Sequence, residues 1–321
     1  NILIDSEISL RTFGVPIDEV ANSTATLYQN ISRFNDMTEQ SKKRLIENAS
    51  LMERFGVSSS TSARNLQILT KALGMNTQQA TIVTRDLKAM SEVLGLPPQV
   101  IMEEFGPAMS KLAAHGEDSV RIFKNMAAAA KATGVEMNEL IGIAENIDTF
   151  EDAARHVGSL NALLGGPYLN SIEMINATED ERIELMLRAM ELSGKNFNEL
   201  GKYEQKAIAT AAGISDMAKA NEIFGTSVEE LQLARMKAQS ASLSQKELGE
   251  ATRDLMTLYE KGAAIIQGFA VSMRPLVNII SSLADGILMV QEYLGNSFGW
   301  IVLTVGALLM WRGGVLSLVK S

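Results

Sequence analysis

A chain of 321 residues, 46% apolar and carrying a net charge of −9, is long enough to bury a sizeable core and is too acidic to hold nucleic acid by neutralising phosphates. The absence of cysteine excludes disulfides, thiolate metal sites and cysteine nucleophiles; the two histidines, His115 and His156, would have to meet in space to build an imidazole metal site. From Gly262 onward only Arg274, Lys320, Arg312, Asp285 and Glu292 are charged, so the excess of acid lies in the body of the chain and the tail is a different kind of polymer.

The chain begins at Asn1 with no basic stretch leading into an apolar run, so it shows no signal peptide and reads as a piece of a longer polypeptide. Residues 1–54 have few breakers after Pro16. From Ile17 to Phe55 the apolar residues Val20, Leu27, Ile31, Phe34, Leu45 and Leu51 are spread through polar text at mostly helical spacings. This predicts a long amphipathic helix, divided in two at Asn35-Asp36, whose low apolar density calls for a partner.

Residues 55–235 repeat a short phrase: FGVS at Phe55, LGMN at Leu73, LGLP at Leu94, TGVE at Thr133, SGKN at Ser193, AGIS at Ala212 and FGTS at Phe224, with an earlier FGVP at Phe13. A helix that ends in a left-handed glycine, followed by an apolar residue folded back on the last turn and then by a cap for the next helix, accounts for it. Capping boxes are expected at Asn76 with Gln79, Thr178 with Glu181 and Thr226 with Glu229, and Pro97 and Pro98 suit a first turn. The irregular glycine spacing excludes a solenoid of fixed period. Alternating strand patterns are absent, so the fold class is all-α: a compact domain of short helices with glycine corners, flanked by long helices and closed by an apolar helical segment.

Catalytic signatures are missing from this text. Gly165-Gly166-Pro167 lacks the lysine and preceding strand of a phosphate loop and reads as a turn after Leu160, Leu163 and Leu164. His115 reads as a surface helix end and His156 as core edge or solvent. The carboxylate pairs Glu103/Glu104 and Glu229/Glu230 are sequence neighbours, which point apart on a helix. Met126, Met137, Met174, Met186 and Met190 read as core filler, with an adaptable binding groove as the other reading. No catalytic, cofactor or metal residue is assigned.

Residues 236–292 form a long helical approach that grows apolar. Ser244 caps it with Glu247 three residues on, and Leu248, Ala251, Leu255 and Leu258 follow at heptad spacing as a self-association seam. Pro275 interrupts the run beside Arg274. In residues 293–321 the stretch Tyr293 to Trp311 carries no charge over 19 residues, close to the length a helix needs to cross a bilayer core of about 30 Å. Trp300, Ile301, Val302, Leu303, Val305, Leu308, Leu309 and Met310 make up its apolar body. Tyr293 and Trp311 would place aromatic rings near the two faces, and Arg312 follows where headgroups would lie. Joined to the seam and the acidic body, the segment reads as one buried between symmetry copies first and released to a bilayer later.

The text NALLGGPYLNSIEMINATEDERIELMLRAM (Asn161–Met190) followed by KNFNELGKYEQKAIATAAG (Lys195–Gly213) resembles tail tape measure proteins of large marine and cyanobacterial tailed bacteriophages. The resemblance extends over about Phe55 to Leu233, and the flanks match in style only. It implies a structural virion protein that lies in the tail lumen or tip as a parallel homo-oligomer, a trimer, against tail tube and tip or baseplate hub proteins. It implies a part in setting tail length, ejection ahead of the DNA, and entry of an apolar segment into the host inner membrane to aid DNA passage. No sequence-specific nucleic-acid binding is implied, and nothing here matches the peptidoglycan-cutting domains that some members carry. A pore-forming or holin-like membrane-active effector is the alternative in another class, and a muralytic enzyme fragment is a third.

Overall fold

Alanine, leucine, methionine and glutamate dominate the body, and the computed structural model, which describes residues 2–241, is helical as expected, with no strand among the described residues. The helices in chain order are α1 (Ile2–Arg11), α2 (Ile17–Asn30), α3 (Glu39–Glu53), α4 (Ser59–Gln67), α5 (Thr77–Val93), α6 (Pro98–Leu112), α7 (Ser119–Thr133), α8 (Met137–Glu145), α9 (Phe150–Leu164), α10 (Ser171–Asn176), α11 (Glu179–Leu192), α12 (Lys202–Ala211), α13 (Met217–Phe224) and α14 (Val228–Ser240).

The repeated phrase is a helix terminator. Gly14, Gly56, Gly74, Gly95, Gly134, Gly194 and Gly213 all adopt positive φ, between 65° and 82°. At four of these corners the amide after the glycine reaches back to the carbonyl five residues earlier: Val15 to Leu10, Val57 to Met52, Leu96 to Ser91 and Ile214 to Ala209. This is the six-to-one bond that satisfies an orphan carbonyl at a helix end. Val15, Val57, Val135 and Ile214 are buried, so the corners at Gly14, Gly56, Gly134 and Gly213 also anchor their helices in the core.

One occurrence of the phrase departs from this rule. Gly225 lies at φ −81°, in the right-handed region, so the chain travels one residue further before it restarts. The cap is therefore Ser227 with Glu230, not Thr226 with Glu229; the Thr226 hydroxyl instead donates to the Glu222 carbonyl at 2.9 Å. The boxes at Asn76/Gln79 and Thr178/Glu181 form as expected, and Pro97 and Pro98 sit at the cap and first position of α6.

The helical run over 17–55 is divided in two at Asn35-Asp36, as expected. The chain divides at Ile31–Thr38, around a short 3-10 turn at Phe34–Asp36, and α1 is separated from α2 by the Gly14 corner and Pro16. The spaced apolar residues Val20, Leu27, Ile31, Phe34, Leu45 and Leu51 are all buried, and the partner that their low density called for is the rest of the body: α3 packs on α1, α2, α4 and α5. Arg33 makes the turn in the left-handed region at φ 61°, unlike every other non-glycine residue described. A Cβ there costs energy that glycine avoids, so Arg33→Gly is expected to raise stability by up to about 1 kcal/mol, read from the denaturation midpoint.

One hydrophobic core runs from Leu10 to Ala241. Phe105 of α6 and Phe123 of α7 meet edge to face with centroids 5.0 Å apart, and Phe197 stacks obliquely on Phe224 at 5.0 Å. Met126, Met137, Met174, Met186 and Met190 are all buried in it, which is the filler role. Arg182 acts as a staple: its guanidinium donates to the Ala144, Met174 and Ile175 carbonyls and pairs with Asp148, closing the C-terminal ends of α8 and α10.

Candidate functional site

The seam Leu248, Ala251, Leu255 and Leu258 and the membrane segment Tyr293, Trp300, Ile301, Val302, Leu303, Val305, Leu308, Leu309, Met310 and Trp311 lie outside the described residues. Among the described residues, the helix nearest to the seam in sequence is α14. It runs across position 235/236, where the sequence places the end of the multi-helix domain, and it packs along α7 with α5 and α11 beside it.

Helix α14 is poor in apolar anchors. Val228, Leu231 and Ala238 are buried, while Leu233 and Met236 face outward and are exposed. The buried stripe has spacings of three, four and three, and its remaining member is Arg235. A guanidinium on a buried stripe requires acceptors, since an isolated buried cation is costly. They come from α11: Arg235 pairs with Glu184 through Nη1 and donates through Nη2 to the Asp180 carbonyl. Its side chain is 11% exposed, against 16% for Glu184 and 1% for Asp180.

Further bonds extend this pair into a network across three helices. Gln232 donates to Glu184 at 3.0 Å, and Arg188 donates to the same carboxylate at 2.7 Å. Gln239 donates to Asn125 of α7 at 2.7 Å, and Asn125 donates in turn to Asp180 at 2.7 Å. The Thr178 hydroxyl takes the other Asp180 oxygen, and the Val228 amide donates to Glu191 at 2.7 Å. Burial pushes the Glu184 carboxyl up, but the Gln232 hydrogen bond and the charges of Arg235 and Arg188 outweigh it and hold the group below the usual carboxylate range. The arrangement is an ionic latch that holds α14 on the body. Sequence reading passed over Arg235, although its place in the Val228–Leu231–Ala238 stripe is a legible signal.

The other residues weighed in the sequence fall as follows. Gly165 is the left-handed end of α9 at φ 87°, so Gly165-Gly166-Pro167 is a turn. His115 lies in a 3-10 turn after α6 and contacts Glu179 at 2.9 Å. His156 is buried on α9, with Nδ1 2.6 Å from the Ala211 carbonyl. Glu103 accepts from Gln99 at the surface, whereas Glu104 is half-buried and raised above the usual range by burial and by Glu136. Glu230 caps α14 and Glu229 faces solvent. Among the described residues no acidic or histidine cluster has the geometry of a metal site, and no helix is long and apolar enough to cross a membrane. Comparison with family models, with curated proteins and with solved structures gives no match to this chain.

Proposed function

We propose that the chain is a structural part of a tail tape measure protein of a tailed bacteriophage, with no enzymatic role. The observation that carries this reading is the wording of Asn161–Met190 and Lys195–Gly213 within an acidic chain that ends in a charge-free stretch from Tyr293 to Trp311. The helical body and the latched α14 are compatible with it: a packed helical unit followed in sequence by a seam and an apolar segment suits a protein packed as parallel copies and then extended. In this reading the copies, a trimer, meet along Leu248, Ala251, Leu255 and Leu258, and touch the tail tube and the tip or baseplate hub. The chain takes part in setting tail length and leaves ahead of the DNA, and its apolar segment enters the host inner membrane.

Particle imaging with a label on the chain tests this. Copies around the tail axis, in the lumen or at the tip, are the expected result. A chain absent from particles that permeabilises liposomes as a soluble monomer would replace this reading with the membrane-active effector. Clearing of a peptidoglycan suspension, abolished by a single carboxylate substitution, would replace it with the muralytic one.

A further inference from the structure

We propose that the cleft between α9 and α12 is a binding site for a phosphate group, either free or as a monoester. The cleft has a volume of about 540 Å³ and is walled by Arg155, His156 and Ser159 from α9 and by Tyr203, Lys206 and Thr210 from α12. One wall carries the imidazole of His156, a residue that is 8% exposed. The His156 Nδ1 is committed to the Ala211 carbonyl, whereas Nε2 has no partner among the described residues and is not among the polar atoms sealed from solvent. Because a carbonyl only accepts, Nδ1 carries the proton there, so the open Nε2 accepts from a P–OH in the neutral ring and donates to a phosphate oxygen in the imidazolium.

The charge around it selects an anion. Lys202 and Lys206 lie four apart on α12, a like-charge spacing that is unfavourable on a helix, and neither has an acidic partner among the described residues. The nearby acids are already engaged: Asp152 pairs with Arg155, and Glu204 pairs with Lys195. Hydrogen bonds from Thr149 and Arg155 hold the Asp152 carboxyl below its usual range, with smaller attractions to Arg155 and His156, so it stays an anion that aligns Arg155 at the rim. Lys202 and Lys206 are thus the cations left over from these local pairs, in a chain whose net charge is −9. Ser159 and Thr210 add hydroxyl donors at the walls, and Tyr203, 88% exposed, is a ring with nothing packed on it. The Lys206 ammonium, the rim guanidinium that Arg155 shares with Asp152, two hydroxyls and the His156 Nε2 present more groups than a single carboxylate uses and suit a phosphate group.

Calorimetric titration of the full chain with inorganic phosphate and with glycerol 3-phosphate, with the His156 ring followed by NMR, tests the site. Saturable binding with a Kd of about 1 mM or tighter and a shift of the His156 ring resonances are expected. Removing a partly exposed charge weakens such binding about fivefold, so Lys206→Ala and Arg155→Ala, both on exposed side chains that the fold does not need, are each expected to show that loss. Binding of the monoester alone supports the site and identifies the ester as its ligand; binding of both supports a site for the phosphate group itself. Absence of saturable binding by either, binding unchanged in both variants, or binding that leaves the His156 ring unmoved overturns the proposal.

Discussion

Arg235→Ala is expected to destabilise the body by about 3 kcal/mol, because it leaves buried Asp180 without a cation and Glu184 with Arg188 alone. Asp180 is 1% exposed and Glu184 16%, so neither can recover its lost interaction from water without moving. The effect stays near the low end for a broken buried pair because donors remain: Asn125 and Thr178 on Asp180, Gln232 and Arg188 on Glu184. Chemical denaturation followed by circular dichroism is expected to show a lower midpoint at unchanged slope, and the melting temperature is expected to fall by about 6–12 °C. The pH dependence has a definite sign. Glu184 titrates below its ordinary value in the fold, so its contribution is complete above the unfolded carboxylate pKa and is lost as pH falls through the depressed folded value. The gap between the two proteins therefore narrows below about pH 4. A loss under about 0.5 kcal/mol at neutral pH, the level of an ordinary surface substitution, would mean that the apolar contacts of Val228, Leu231 and Ala238 hold α14 without the latch.

The latch also shows where sequence legibility stops. Helix ends were readable because their causes are local: a glycine free to take positive φ, an apolar residue behind it, and a side-chain cap within three residues, as at Gly56-Val57 or Asn76/Gln79. The rule failed at Gly225 because the phrase FGTS fixes the residue types and not the sign of φ; there the turn stays right-handed and moves the cap to Ser227. The break of the N-terminal run at Asn35-Asp36 is legible in the sequence, but the path of the chain through it is not. The run's periodicity is helical on both sides of the break, and only the turn through Arg33 shows that the halves fold back on a common core. The pairing of Arg235 with Asp180 and Glu184, about 50 residues earlier, is a tertiary fact that no spacing encodes. The same is true of His156 and Lys206, which become neighbours only because α9 lies against α12.

Val305→Asp is expected to reduce partitioning of the full chain into liposomes about a hundredfold, since a charge near mid-membrane costs about 2.5–3.5 kcal/mol on insertion scales. Val305 lies close to the middle of the stretch from Tyr293 to Trp311, so a carboxylate there cannot reach headgroups as one near either end could. Val305→Leu keeps the apolar character and is expected to partition like the parent chain. Vesicle flotation reads both variants, and equal flotation of the Asp variant would remove the spanning reading. The same substitution probes the other half of the segment's proposed life. If parallel copies bury it against one another before release, three carboxylates brought together at one level would repel in a low-dielectric core. Incorporation into particles is then expected to fall along with flotation. Loss of flotation with normal incorporation would mean that the segment meets apolar surroundings only at the bilayer, and the self-association of the copies would have to rest on Leu248, Ala251, Leu255 and Leu258 alone.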